Sequence, residues 1–146
     1  MSVEREVFPA MAEAGTLFGV RSRCRWLDAG TPATYLAAHR ELAFRTHGSA
    51  EYIDARATVD TGALVRGSVV LPGAAVRRGG TVENSVLLPG AEVGRGAVVS
   101  DSVVGSGAVV GESAVVSDGS IVGDGCIVST GSVHRSARIS PESATT

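Results

Sequence analysis

The 146-residue sequence predicts a mainly β fold in which short parallel strands wind into a stack of about five coils. Three observations predict this fold. The nearly identical segments SVVLPGAAV, from residue 68, and SVLLPGAEV, from residue 85, follow one another at a seventeen-residue step. An aliphatic residue recurs every five or six positions, and glycine is abundant (19 residues) while aromatic residues make up only 4%. This composition is typical of a tightly wound repeat with an aliphatic core.

From residue 51 the repeat forms four blocks of seventeen residues and one of eighteen. The blocks read EYIDARATVDTGALVRG, SVVLPGAAVRRGGTVEN, SVLLPGAEVGRGAVVSD, SVVGSGAVVGESAVVSDG and SIVGDGCIVSTGSVHRS. The predicted inward positions are Ile53, Val59, Val65, Val70, Val76, Val82, Leu87, Val93, Val99, Val104, Val110, Val116, Val122 and Val128. Small residues two positions earlier and glycines three positions later favour corners and turns. Each block therefore predicts three short strands, which make one coil.

The residues that precede the inward positions on the first face of successive coils should point outward. They form an apolar column with the neighbouring leucines, and a contiguous apolar patch of this kind is seldom left uncovered. We expect the column to pack against the N-terminal segment or against another subunit. The predicted interface of a homo-oligomer is Val69, Leu71, Val86, Leu88 and Val103. The alternative is that outward valines serve strand propensity alone.

The segment before the repeat predicts a short α/β region. Residues 5–13 have a helical pattern and residues 16–23 a strand-like one. Thr31 is suited to cap a helix and Pro32 to open it, which predicts a helix over residues 32–45. The stretch THGSA predicts a linker. The predicted division is thus an N-terminal segment over 1–46, the coiled repeat over 51–140 and a flexible tail over 141–146.

Composition and charge exclude several functions. The chain has 13 basic and 15 acidic residues. Its formal charge of −2 does not attract nucleic acid or an anionic membrane surface. No apolar run reaches the roughly 18 residues of a membrane span. The two cysteines, Cys24 and Cys126, lie far apart and have neither metal-ligand nor disulfide spacing. These features predict a cytoplasmic protein.

The motif WLDAGTP carries a resemblance to a known family. Residues 4–42, EREVFPAMAEAGTLFGVRSRCRWLDAGTPATYLAAHREL, resemble the last part of the catalytic domain of sugar-phosphate nucleotidyltransferases, especially mannose-1-phosphate guanylyltransferase and glucose-1-phosphate thymidylyl- or uridylyltransferase relatives. The repeat that follows resembles the hexapeptide repeat of the left-handed parallel β-helix, and the predicted hand comes from this resemblance. Several of these transferases carry such a β-helix directly after the catalytic domain.

The resemblance implies a reaction and a metal ligand. Family members join a sugar 1-phosphate to a nucleoside triphosphate and release pyrophosphate, with Mg²⁺ held by two aspartates. The aspartate of the W-x-D motif corresponds to Asp28 here. Mg²⁺ prefers one or two carboxylates together with phosphate oxygens and waters. The alternative from residue type alone is that Asp28 caps a turn before Gly30.

Other parts of the family's site do not occur in the sequence. It contains no G-x-G-T-R-L loop and no lysine, because all 13 basic residues are arginines. We therefore assign no catalytic or cofactor-binding residue and expect the isolated chain to be inactive. Mg²⁺, sugar phosphate and nucleoside triphosphate are expected only in a complete enzyme, of which this chain resembles the C-terminal portion. The β-helix would then serve oligomerisation or regulation.

Two other functions stay open. One is a stand-alone β-helix that acts as an oligomerisation scaffold. The other is a hexapeptide acyltransferase, which would need a catalytic histidine. The repeat contains only His134, at an inward position near the last coil, and fraying or a local register shift explains this histidine better than a role as general base. His39 and His47 have no evident partner in the sequence, which predicts solvated or packed side chains, and Cys126 falls among the small corner residues.

One charged column also follows from the repeat. Arg78, Arg95 and Glu112 are spaced by seventeen residues and should stack on one edge of the coils, about 5 Å apart. An anion site is one interpretation of the two arginines. The favoured interpretation is a solvent-exposed ladder of charges, in which the acidic Glu112 follows the two arginines.

Overall fold

The computed structural model describes residues 2–141 of the chain. A π-helical turn, Val3–Val7, leads into helix α1, Phe8–Glu13, and helix α2 spans Pro32–His47. The strands that follow are β1 Tyr52–Ile53, β2 Thr58–Val59, β3 Leu64–Arg66, β4 Val69–Val70, β5 Ala75–Val76, β6 Thr81–Glu83, β7 Val86–Leu87, β8 Glu92–Val93, β9 Val98–Ser100, β10 Val103–Val104, β11 Val109–Val110, β12 Val115–Ser117, β13 Ile121–Val122, β14 Ile127–Val128, β15 Val133–Arg135 and β16 Arg138–Ile139.

These strands form three parallel sheets that make the sides of a solenoid. Sheet A has the order β1-β4-β7-β10-β13-β16, sheet B contains β2, β5, β8, β11 and β14, and sheet C contains β3, β6, β9, β12 and β15. Every pair is parallel, with Val69 facing Val86 and Val86 facing Val103 in sheet A. Each coil thus gives one strand to each sheet. The predicted stack of about five coils is confirmed, and β16 begins a further turn.

The predicted inward column forms the core of the solenoid. From Val70 to Val128 its side chains are 0–2% exposed, and Ala74, Ala91, Ala97, Ala108 and Ala114 fill the corners between them. Complete burial of each valine contributes roughly 2 kcal/mol to stability. The first coil differs because no coil lies beneath it: Ile53 is 41% exposed and Val59 37% exposed.

The eighteen-residue block keeps its strands in register because the additional residue lies at a corner. Val103 pairs with Val86 at a step of seventeen and with Ile121 at a step of eighteen. Between the two steps, Asp118 (φ 58°) and Gly119 (φ 77°) adopt left-handed conformations. A left-handed pair makes a tight turn, and aspartate and glycine tolerate it better than β-branched residues. The insertion therefore leaves the core unchanged.

Helix α2 begins and ends as its sequence predicts. The backbone N–H of Thr34 donates to Thr31 Oγ1 (3.2 Å), and the N–H of Thr31 donates to Thr34 Oγ1 (3.0 Å). This reciprocal cap satisfies N–H groups that a helix start leaves without partners. Gly48 ends the helix in a left-handed conformation, φ 77°. The helix runs two residues beyond the predicted 45, into the predicted linker.

The strand predicted over residues 16–23 is wrong. No strand forms there, and in the described part of the chain no backbone–backbone hydrogen bond involves residues 18–29. A strand needs a neighbouring strand to pair its N–H and C=O groups, and none lies beside this segment. The predicted helix over 5–13 is present as the π-helical turn and α1. The segment is therefore helical, without its expected strand.

Two further expectations concern the C-terminal tail and the membrane-spanning helix. Of the predicted tail over 141–146, all residues but Pro141 lie outside the described residues. Within residues 2–141, no helix has the length and apolar character that crossing a membrane requires.

Candidate functional site

The apolar column on sheet A is covered by helix α2 of the same chain. Val69, Val86 and Val103 are 3%, 0% and 6% exposed, and they pack with Leu36 and Ala43 of the helix. Leu36 and Ala43 lie seven residues apart, so two helical turns bring them to one face. Of the two coverings that the sequence allowed, the structure shows the N-terminal segment. Oligomerisation through the column stays a prediction.

Two further contacts involve α2. Arg25 Nη2 lies 2.6 Å from Glu41 Oε1 in the second half of the helix, which ties the preceding segment to α2. At its end, the ring of His47 stacks on Tyr52 of the first coil, with centroids 4.2 Å apart and planes 15° apart. Stacked rings contribute about 0.5–1.5 kcal/mol beyond their buried area. The helix is thus held on the solenoid by the column and by the stack at its C-terminal end.

A compact polar cluster continues from this stack. Tyr52 donates its hydroxyl to Asp54 Oδ2 (3.1 Å), and Arg56 donates from Nε to Asp54 Oδ1 (3.0 Å). The hydrogen bonds from Arg56 are the largest cause that lowers the pKa of Asp54 to about 2. The hydrogen bond to Asp54 in turn raises the pKa of Tyr52. The arrangement holds Asp54 ionised and Tyr52 protonated at neutral pH, which suits a structural clasp better than an acid–base pair.

Asp28 lies on the exposed segment before α2. Its Oδ1 accepts a hydrogen bond from the N–H of Gly30 (2.9 Å), so the turn-capping geometry is present. Among residues 2–141 no group of three or more histidine, cysteine, aspartate or glutamate side chains could hold a metal ion. One carboxylate is too few for Mg²⁺ without phosphate oxygens or a second carboxylate. The described residues do not form a magnesium site by themselves, and the metal role of Asp28 stays a prediction.

Sheet B borders a groove of about 630 Å³ that carries ion pairs. Arg77 binds Glu92 with two hydrogen bonds, from Nε (2.9 Å) and Nη2 (3.0 Å), and this contact lowers the pKa of Glu92. Arg95 Nε lies 3.9 Å from Glu112 Oε1. The predicted column of Arg78, Arg95 and Glu112 is confirmed by the bonds from Gly96 to the Arg78 carbonyl and from Ser113 to that of Arg95. Carboxylates next to the arginines favour the ladder of charges over an anion site.

The three histidines have local roles in the structure. His134 occupies an inward position opposite Val116, as predicted, and its Nε2 lies 3.0 Å from Ser132 Oγ. His39 and His47, for which the sequence predicts solvated or packed side chains, are both packed. His39 Nδ1 lies 3.2 Å from the Tyr35 carbonyl oxygen, and His47 stacks on Tyr52. Cys126 is 3% exposed at a corner, as predicted.

Sequence reasoning did not find the polar cluster of the first coil. A signal was present, because Tyr52, Asp54 and Arg56 alternate along an extended stretch and alternate residues share a side. The stack of His47 on Tyr52 left no such signal, because it joins a helix end to a strand across the Gly48 turn.

The fold resembles solved hexapeptide transferases. The acetyltransferase domain of PglB from Neisseria gonorrhoeae FA1090 in complex with acetyl coenzyme A is 18% identical, and the match covers 85% of this chain and 76% of that one with a TM-score of 0.57. The same domain without that ligand gives 16% identity, coverage of 85% and 77%, and a TM-score of 0.58. At these identities the likeness shows the fold alone, and it confirms the predicted hexapeptide-repeat β-helix.

The sequence comparisons give the family. No curated protein sequence matches the chain. The family model described as the GMPPB C-terminal domain matches residues 48–146, which is more than half of the chain and contains all sixteen strands. The chain therefore belongs to the GMPPB C-terminal domain family.

Proposed function

We propose that the chain serves as the C-terminal portion of a sugar-1-phosphate nucleotidyltransferase, in which the β-helix supports assembly or regulation. The observation that carries this proposal is the family match over residues 48–146. The resemblance of residues 4–42 to the end of a mannose-1-phosphate guanylyltransferase catalytic domain supports it independently. The reaction would join a sugar 1-phosphate to a nucleoside triphosphate and release pyrophosphate.

The described residues favour a supporting role over chemistry. Two ion pairs, Arg77–Glu92 and Arg95–Glu112, border the sheet B groove, and the carboxylate of Asp54 is hydrogen-bonded to Tyr52 and Arg56. The sequence contains no lysine and no G-x-G-T-R-L loop to orient a triphosphate. When Mg²⁺ is bound in the complete enzyme, it would neutralise charge on the phosphates, and Asp28 is the residue of this chain proposed to contact it.

Homo-oligomerisation is a further part of the proposal. Since α2 covers Val69, Val86 and Val103, an oligomer through this column would require that copies exchange their helices. Sedimentation of the wild type and of a variant with Val86→Glu and Leu88→Glu tests this. A lower mass of the variant, with its solenoid still folded, would support the exchange of helices between copies. A monomeric wild type would contradict both this exchange and the function as a stand-alone oligomerisation scaffold.

Pyrophosphate release tests the enzymatic assignment. The catalytic portion of a mannose-1-phosphate guanylyltransferase, made without its own C-terminal domain, is assayed with GTP, mannose 1-phosphate and Mg²⁺, alone and with this chain. We expect no release from this chain alone and an altered rate from the mixture. Asp28→Asn should reduce the effect on the rate, and Asp60→Asn, a carboxylate of the sheet B groove, should not. An unaltered rate would contradict the proposal.

The alternative acyltransferase function has a separate test. The solved PglB domain binds acetyl coenzyme A, but at 18% identity it supports only the fold. Titration of this chain with acetyl coenzyme A should show no binding at micromolar concentrations. Saturable binding together with acetyl transfer to an amino sugar would favour the acyltransferase over the nucleotidyltransferase.

A further inference from the structure

Sheet C carries an outward apolar column along the length of the solenoid. In each of its strands the residue before the inward position points outward. Each of these residues lies in register with that of the next coil, and together they form the sheet C column: Leu64, Thr81, Val98, Val115 and Val133. All but the threonine are aliphatic. At the two ends of the column, Leu64 is 37% exposed and Val133 is 52% exposed.

The three sides of the solenoid differ in what lies on them. Helix α2 covers the outward column of sheet A, and two ion pairs border the groove on sheet B. The sheet C column belongs to neither hydrophobic cluster of residues 2–141. A contiguous apolar column of this kind is seldom left open to water. Sheet C is therefore the side for which a cover is expected from outside the chain.

A second column, next to the first, carries opposite charges at different heights. The residues two positions after the sheet C column form this charged column: Arg66, Glu83, Ser100, Ser117 and Arg135. Glu83 lies in the second coil and takes part in no ion pair within residues 2–141. Arg135 lies in the fifth coil, with its Nε 3.8 Å from Asp118 Oδ2 and its side chain 68% exposed. An ion pair of this length leaves guanidinium donors free for another carboxylate.

These charges fit a second copy of the chain that lies antiparallel to the first. A two-fold axis between the third and fourth coils would place the second coil of one copy opposite the fifth coil of the other. Glu83 would then face Arg135 of the second copy, and the symmetry would repeat this pair. The same register would pack Val98 against Val115 on both sides of the axis, and Val133 over Thr81. One arrangement thus pairs the apolar columns and the charges together.

Other arrangements of two copies suit the charges less well. An axis through the third coil would set Arg66 opposite Arg135 of the second copy, and like charges opposite one another are destabilising. Parallel copies would keep Glu83 and Arg135 of the second copy three coils, about 14 Å, apart. The acidic corner residues Asp101 and Asp118 line a cavity beside α2, so they lie at the edge of sheet C that faces the helix.

We infer that sheet C is the interface of an antiparallel dimer, in which the two sheet C columns pack together and Glu83 pairs with Arg135 of the second copy. The inference deepens the homo-oligomerisation part of the proposed function, and it names a face that requires no exchange of α2. It rests on the two columns and not on the enzymatic assignment. Two-residue and three-residue strands make a face smaller than the standard of about 800 Å² per partner, so we expect weak, micromolar association.

Sedimentation equilibrium of the full chain at several concentrations tests this interface. The wild type should have twice the mass of one chain at high concentration and should dissociate on dilution. Val115→Lys should weaken dimerisation at least about tenfold, because it buries a charge between the apolar columns. Val109→Lys is the matched control. It changes an outward, half-buried valine of the same coil on sheet B and should leave dimerisation unchanged.

The charged column tests the register. Glu83→Arg and Arg135→Glu should each weaken dimerisation at least about threefold, because each sets like charges opposite one another twice. The double variant should restore most of the lost affinity, since it recreates the pair with its charges exchanged. Arg66→Glu is the control in the same column. It should leave dimerisation unchanged, because the first coil has no coil of the second copy opposite it.

Circular dichroism of each variant verifies that the solenoid is folded, and the charge variants decide the test if Val115→Lys does not fold. A wild type that stays monomeric up to about 1 mM, or that forms a trimer, would overturn the inference. Tolerance of Val115→Lys, or failure of the double charge variant to restore dimerisation, would also overturn it. A dimer that dissociates only in the variant with Val86→Glu and Leu88→Glu would point to sheet A instead. Pyrophosphate release tests the enzymatic assignment separately from all these outcomes.

Discussion

At the scale of single residues, close contacts between coils decide which positions accept a side chain. A Cβ added to Gly111 would lie 2.7 Å from both the Thr130 nitrogen and the Val128 oxygen of the next coil. The backbone of one coil cannot move away without disturbing its neighbours, because the coils are close-packed.

Gly111→Ala should therefore lower the free energy of unfolding by about 1–3 kcal/mol. Urea denaturation followed by circular dichroism measures this change. Gly19→Ala is the matched control, because nothing lies within 4 Å of a Cβ at Gly19. Equal midpoints for the two variants would show that the coils are not packed as described.

The carboxylate of Asp54 predicts a pH dependence. Its pKa is lowered from 3.8 to about 2 in the folded chain, chiefly by the hydrogen bonds from Arg56. A lowered folded-state pKa gives stability that is fully present above the unfolded pKa and disappears as the pH falls through the folded pKa. Asp54→Asn should thus be less stable than the wild type at pH 6, and the difference should vanish between about pH 4 and pH 2.

Urea midpoints at several pH values measure this difference. Glu13→Gln, at the end of α1, serves as the control and should show no such pH-dependent difference from the wild type. A difference for Asp54→Asn that stayed constant down to pH 2 would contradict the assigned role of Arg56.

At the scale of elements, α2 is a cover for one side of the solenoid. Leu36, 8% exposed, lies against the apolar column, whereas Leu42 of the same helix is 62% exposed. Leu36→Ala should weaken the docking of α2 by about 2–3 kcal/mol, because it leaves a cavity between helix and sheet. Hydrogen exchange of the helix amides should become faster while the amides of the inner coils stay protected.

Leu42→Ala is the control on the same helix. It should change the free energy of opening of the helix, measured by amide exchange, by less than about 0.5 kcal/mol. Unfolding of the whole solenoid by Leu36→Ala would contradict the description of α2 as a cover on a separately stable stack.

The sequence predicts these elements to different extents. The inward column follows from its spacing alone, and α2 follows from Thr31 and Pro32, because both signals are local. The choice of α2 over a second subunit as the cover does not follow, because an apolar column requires a cover without specifying its source. The strand over 16–23 was expected from side chains, but a strand also needs a neighbour, which no local pattern supplies.

At the scale of the whole molecule, the chain combines a stiff stack of coils with a segment, residues 18–29, that makes no backbone–backbone hydrogen bond within the described chain. The stack is stabilised by burial along its full length and by hydrogen bonds between successive coils, such as those from Val86 to Ser102 and from Leu88 to Val104. The resemblance to nucleotidyltransferases concentrates in the N-terminal segment, whereas the family match lies in the stack. The site itself was therefore less predictable than the fold: Asp28 is one carboxylate, and among residues 2–141 no group of three or more possible metal ligands forms around it.

Native-state hydrogen exchange of the intact chain in isolation tests most directly whether a stable stack of coils carries α2 as a cover and, before it, a segment without backbone pairing. Three levels of protection are expected: the greatest in the middle coils, less in α2, and rates of an unstructured peptide over residues 18–27. Strong protection of residues 18–27 without a partner, or rapid exchange at Val86 and Leu88, would contradict the account.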